Sequence, residues 1–90
     1  MTICQVIGHV WATKKEDSLA GLKLMVVQET GERGRTFVAA DAVGAGIGER
    51  VLVVSGSTAR RAMGRDNTCA DCAIVGIIDS LEVDREAKQA

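Results

Sequence analysis

The chain has no proline and no tyrosine, and only one phenylalanine, one tryptophan and one histidine among 90 residues. Without proline, sharp chain reversal falls to the ten glycines, which become the main punctuation of the sequence. Trp11 and Phe37 are the only aromatics, so there is no row of stacking platforms such as single-stranded nucleic acid requires. Eleven basic residues stand against twelve acidic ones, a net charge of −1. A phosphate-binding surface carries a basic excess or stripe, and nucleic acid is therefore not expected as a partner. No apolar run approaches the ~20 residues that cross a bilayer, so no membrane association is expected. The start, Met1-Thr2-Ile3-Cys4-Gln5, lacks the basic region and cleavage site of a secretory signal. Three cysteines, an odd number, do not make a disulfide framework. The expected compartment is the reducing cytoplasm.

What the chain does have is apolar residues, 47% of the total, most of them small or β-branched. That is too many for a disordered segment and predicts a packed core. One domain over residues 1–90 is expected. A domain this small buries only roughly 60–65% of the surface its unfolded chain exposes, and such domains usually add disulfides, a metal or partner subunits. With few cysteines and one histidine, partner subunits are the first expectation.

Alternation over Ile3–Ala12 predicts a strand with Cys4, Val6, Val10 and Ala12 on one face. A polar loop follows, then strands over 23–29 and 36–40 separated by the turn Thr30-Gly31-Glu32-Arg33-Gly34. The glycine-rich loop 41–49 leads to a fourth strand, 50–56, apolar and β-branched enough to be buried on both faces. Ser57 can cap a helix over Thr58–Met63 that Gly64 ends in the left-handed conformation. A last strand covers 73–83, and the polar tail 84–90 is expected to fray or to form a short helix completed by a neighbour. Five strands and one short helix predict an all-β fold, a small OB-like β-barrel.

No catalytic constellation emerges. His9 has no serine or cysteine partner recognisable by motif. Gly44-Ala45-Gly46-Ile47-Gly48 runs from strand to strand, with no following Gly-Lys-Ser/Thr, so it reads as tight reversal with close approach of another backbone rather than a phosphate cradle. Gly46 is expected to need a backbone angle closed to side chains, or to lie against a neighbour. Cys69-Ala70-Asp71-Cys72 is a lone CxxC without the second ligand pair of a zinc site and without the βαβ setting of a thioredoxin-like motif. No cofactor and no metal are expected. Two alternatives stay open on the residues alone. One is a single-stranded nucleic-acid module; the other is a small redox or metal protein using Cys69 and Cys72.

Three stretches taken together resemble the EutN/CcmL family of microcompartment vertex proteins. They are Asp41-Ala42-Val43-Gly44-Ala45-Gly46-Ile47-Gly48-Glu49-Arg50-Val51-Leu52-Val53, Ser55-Gly56-Ser57-Thr58-Ala59-Arg60, and Asp71 with Val75-Gly76-Ile77-Ile78-Asp79. Val6-x-Gly8-x-Val10, Thr13-x-Lys15 and Gly21-x-Lys23-Leu24 agree as well. Arg50 stands where members often carry an aromatic, Thr58 where they often carry serine, and the CxxC is not part of the pattern. The resemblance implies a homopentamer that closes the corners of a cytoplasmic microcompartment shell, beside hexameric shell proteins, with no enzyme activity. Under it, Asp41, Gly44, Ala45, Gly46, Gly48, Arg60 and Asp71 are candidates for the subunit interface. Ser55, Gly56, Ser57 and Thr58 are candidates for the surround of an axial opening.

Overall fold

A computed structural model describes residues 1–64 and 70–80. Five strands, β1 (Thr2–His9), β2 (Leu24–Glu29), β3 (Thr36–Asp41), β4 (Arg50–Ser55) and β5 (Cys72–Ile77), close a barrel in the order β1-β2-β3-β5-β4. One helix, α1 (Gly56–Ala62), lies between β4 and β5, and a 3-10 turn covers Asp17–Leu19. All seams are antiparallel except β3–β5, which is parallel. The expected all-β barrel with one short helix is the fold observed.

Alternation sorts the strand residues into two clusters. Cys4, Val6, Met25, Val27, Val51 and Ile74 point into the barrel and are buried, joined by Ala45 from the glycine loop. Each large side chain buried there contributes about 1.5–3 kcal/mol relative to exposure. Val54 and Ala73 face the other way, outward, and are covered by α1 through Ala59. A residue as small as Ala59 lets the helix come close to the sheet. β4 is thus buried on both faces along much of its length, as its composition predicts.

Three boundaries differ from the sequence expectation. First, β1 carries a bulge between Val6 and Gly8, opposite Val27 and Val26. The extra residue resets the alternation, so Cys4 and Val6 are buried while Ala12 is exposed, and the strand ends at His9. Second, α1 begins at Gly56 with Ser55 in the N-cap position, so Ser57 is inside the helix and does not cap it. Gly56 has φ of +66°, a left-handed angle that turns the chain sharply from strand to helix. Gly64, with φ of +69°, ends the helix as expected. Third, β5 stops at Ile77. The expected strand residues 81–83 and the tail 84–90 lie outside the described residues.

Among the described residues, a hollow of about 200 Å³ near the start of β1 is lined by Thr2, Phe37 and Val53 and also by the outward-facing Val38 and Val54.

Candidate subunit-interface regions

The loop after β3 is built around one carboxylate. Asp41 Oδ1 accepts hydrogen bonds from the backbone N–H of Val43 and Gly44, each at 3.0 Å, and Oδ2 accepts one from Ala45 at 2.8 Å. Its side chain is 1% exposed, with Lys23 Nζ 3.7 Å from Oδ2. The same Nζ donates to Ala45 O at 3.3 Å. Three successive N–H groups can converge on one carboxylate only where the chain folds tightly, and Gly44 supplies that with φ of +83°.

The second half of the loop is held against β1. Gly46 N donates to Glu49 Oε1 at 2.6 Å, and Gln5 Nε2 donates to Gly48 O at 3.2 Å. Gly48 N donates to Val6 O and Val6 N to Glu49 O, at 2.8 and 2.9 Å. Gly48 is left-handed, with φ of +93°. Gly46 is not left-handed, and a Cβ there would meet only the Glu49 carboxylate, at 3.3 Å. The expectation of a forbidden angle at Gly46 is therefore corrected: that constraint belongs to Gly44 and Gly48. Ala45 is fully buried in the core of its own barrel.

At the other end of β4, Ser55, Gly56, Ser57 and Thr58 are all exposed. Ser55 makes no side-chain cap bond to the helix. The turn is tied instead by Gly56 N donating to Asp71 O at 2.8 Å. Arg60 is half-buried and sits with Arg61 in the last turn of α1, where cations complement the helix dipole. Asp71 is exposed beside Cys72. The fold splits the interface candidates: Asp41, Gly44, Ala45, Gly46 and Gly48 lie before β4, whereas Arg60 and Asp71 lie beyond its other end with Ser55, Gly56, Ser57 and Thr58. Sequence reasoning missed Lys23, Gln5 and Glu49, whose polar atoms complete the loop.

Neither thiol of the described residues is set up as a nucleophile. Burial pushes the Cys72 thiol up, and the neighbouring Asp71 charge pushes it further. Cys4 is raised first by burial and then by Glu29. Nucleophilic cysteines need the opposite shift. Cys69 lies outside the described residues, and among those described no group of three His, Cys, Asp or Glu could hold a metal ion. Glu29 and Arg35 pair at 2.7 Å, with the guanidinium 5.5 Å from the centroid of the Phe37 ring. The Arg35 hydrogen bond holds the Glu29 carboxyl below its ordinary range. Trp11, 87% exposed, stacks on His9 just past the end of β1, whereas Phe37 lines the hollow near the start of that strand. The two aromatics make no common platform for bases.

Residues 1–79 match the family model described as ethanolamine utilisation protein EutN/carboxysome. The bacterial microcompartment shell vertex protein GrpN of Rhodospirillum rubrum is 46% identical over 86 residues, spanning 91% of this chain and 97% of GrpN. The carboxysome shell vertex protein CcmL of Thermosynechococcus vestitus is also 46% identical, over 93% of this chain and 89% of CcmL. The solved structure of the pentameric microcompartment shell protein GrpN superposes with a TM-score of 0.83 and 42% identity, covering 93% of this chain and all of that one (100%). A match over nearly the whole barrel, at these identities, leaves one assignment: the chain belongs to the EutN/CcmL family.

Proposed function

We propose that this protein is a structural shell protein whose pentamer caps the vertices of a bacterial microcompartment. The observation that carries the reading is the full-length likeness to vertex proteins, one of them solved as a pentamer, at 42% identity and a TM-score of 0.83. The physics of the chain fits it. A barrel this small has little interior to stabilise it alone, and a ring of copies adds buried surface. The ring's flat-facet neighbours would be hexameric shell proteins, and its compartment the cytoplasm.

Within the ring we assign Gly44, Gly46, Gly48, Arg60 and Asp71 to subunit contacts or their margins. Asp41 and Ala45 act there from beneath, by holding the loop in shape. Ser55, Gly56, Ser57 and Thr58 surround the axis. What supports this is exposure without side-chain commitment: the turn offers small hydroxyl-bearing residues that can crowd around an axis without steric conflict. Native mass spectrometry tests the reading. Five subunits are expected, and a stable monomer at micromolar concentration overturns it.

A further inference from the structure

Ala45 is held on both sides of its Cα. Its N–H donates to Asp41 Oδ2 at 2.8 Å, and its C=O accepts from Lys23 Nζ at 3.3 Å. The same Nζ stands 3.7 Å from Asp41 Oδ2. The main chain of Lys23 is tied to Asp41 as well, through Asp41 N donating to Lys23 O at 2.8 Å. Lys23, just before β2, thus reaches the glycine loop with its backbone and with its side chain. Ala45 is fully buried, so this clamp fixes how deeply the loop enters the barrel.

The hydrogen bonds of Asp41 do not need the lysine. Three N–H groups already converge on the carboxylate, and what Lys23 adds is charge. The Asp41 side chain is 1% exposed, and among the described residues Lys23 is the cation paired with it. A buried carboxylate without a counter-charge is far less stable than one in water. Without the ammonium, the favoured arrangement turns the carboxylate out to solvent and releases the N–H groups of Val43, Gly44 and Ala45. The strands do not share that dependence, since β2 and β3 pair from Leu24–Ala40 to Gln28–Thr36. Meanwhile the loop carries Val43 and Ile47 outward, both exposed, while the carboxylates of Asp41 and Glu49 bind its own N–H groups. Apolar side chains with charge withdrawn suit the centre of a contact surface, and a frame fixed in advance lowers the ordering cost of association.

We infer that Lys23 is a positioning residue for assembly: its ammonium, by counter-charging Asp41 and holding Ala45, sets the glycine loop in the shape that meets the neighbouring subunit. Lys23 acts through the loop and need not touch the neighbour. The inference rests on the assignment of this loop to subunit contacts in the pentamer, and it adds the charge on which that contact depends.

Lys23→Met keeps an apolar stem and removes the charge, whereas Lys23→Arg keeps the charge. The Lys23 side chain is 47% exposed, so neither change burdens the barrel much. In a dilution series of the full chain followed by native mass spectrometry, the Lys23→Met pentamer is expected to need a roughly tenfold or greater protein concentration. The far-UV circular dichroism of the barrel is retained, and Lys23→Arg returns toward the wild type. Residue-resolved amide exchange should accelerate at Val43, Gly44 and Ala45 in Lys23→Met and stay unchanged at Met25 and Val27. A Lys23→Met pentamer as persistent as the wild type overturns the inference and leaves the vertex function standing; a monomeric wild type overturns both. Equal loss in Lys23→Met and Lys23→Arg, or exchange accelerated throughout the strands, also overturns it. The wild type alone gives one further check: fast exchange at all three loop N–H groups in an intact pentamer is incompatible with the clamp.

Discussion

The Asp41–Glu49 loop and the Ser55–Thr58 turn are short, small-residue connections at the two ends of β4, yet they are held in opposite ways. The loop is closed by its own chain: Asp41 collects three N–H groups, Lys23 sits against the carboxylate, and Glu49 and Gln5 bind the far side. The turn is tied by Gly56 N to Asp71 O, and its exposed serine at the cap position makes no side-chain bond to the helix. Glycine content is therefore a poor guide to which connection depends on a neighbour. What separates them is whether polar side chains of the same chain finish the geometry.

Removing the centre of the loop should have the largest effect. Asp41→Ala leaves three loop N–H groups without their acceptor and Lys23 without its counter-charge. The expected loss is about 2–4 kcal/mol, read as a lower urea midpoint. Asp41→Asn should recover part of it, since an amide oxygen can still accept from the turn. A wild-type midpoint for Asp41→Ala would dissolve the contrast between the two connections.

The glycines sharpen the comparison. Gly48→Ala must place a side chain at φ of +93°, a strain of about 1–2 kcal/mol. Gly46→Ala meets only the Glu49 carboxylate, at 3.3 Å, which Gly46 N also holds by a hydrogen bond, and should cost less than Gly48→Ala because no left-handed angle is required. Thermal melts of the two variants, side by side, check the order. Equal destabilisation would mean that position in the loop, and not backbone angle, sets the requirement.

Much of the barrel was legible because alternation and glycine spacing are local. Five apolar runs became five strands, and Gly64 ended the helix where expected. The failures have a common cause in geometry that closes over distance. The apolar alternation of β1 continues through Val10 and Ala12, so the bulge after Val6 has no local signal; it is set by pairing with Val26 and Val27. Ser57 looked like a cap because the left-handed angle of Gly56, which starts the helix earlier, shows only in three dimensions. Lys23 could not be matched to Asp41 before the β2–β3 register brought Lys23 O to Asp41 N. The β3–β5 register, Ala40–Ala73 and Asp41–Ile74 among the described residues, likewise arises only when the ring of strands closes.

The turn should give the smallest effect on the barrel and the clearest one on assembly. Ser57 is exposed and caps nothing, and Arg60 is half-buried in the last turn of α1. Ser57→Ala and Arg60→Ala should each leave the stability of the isolated barrel within about 0.5 kcal/mol, and alanine is the stronger helix former at both positions. If the turn lies where five copies meet, Arg60 finds carboxylates or carbonyls of the next subunit, because five unpaired guanidinium groups around an axis would repel one another. Arg60→Ala then lowers the protein concentration range over which the pentamer survives, while Ser57→Ala barely changes it. Dilution series by native mass spectrometry measure this directly. A pentamer indifferent to Arg60→Ala would assign that side chain to solvent and leave the exposed hydroxyls of the turn as its only contribution to the ring.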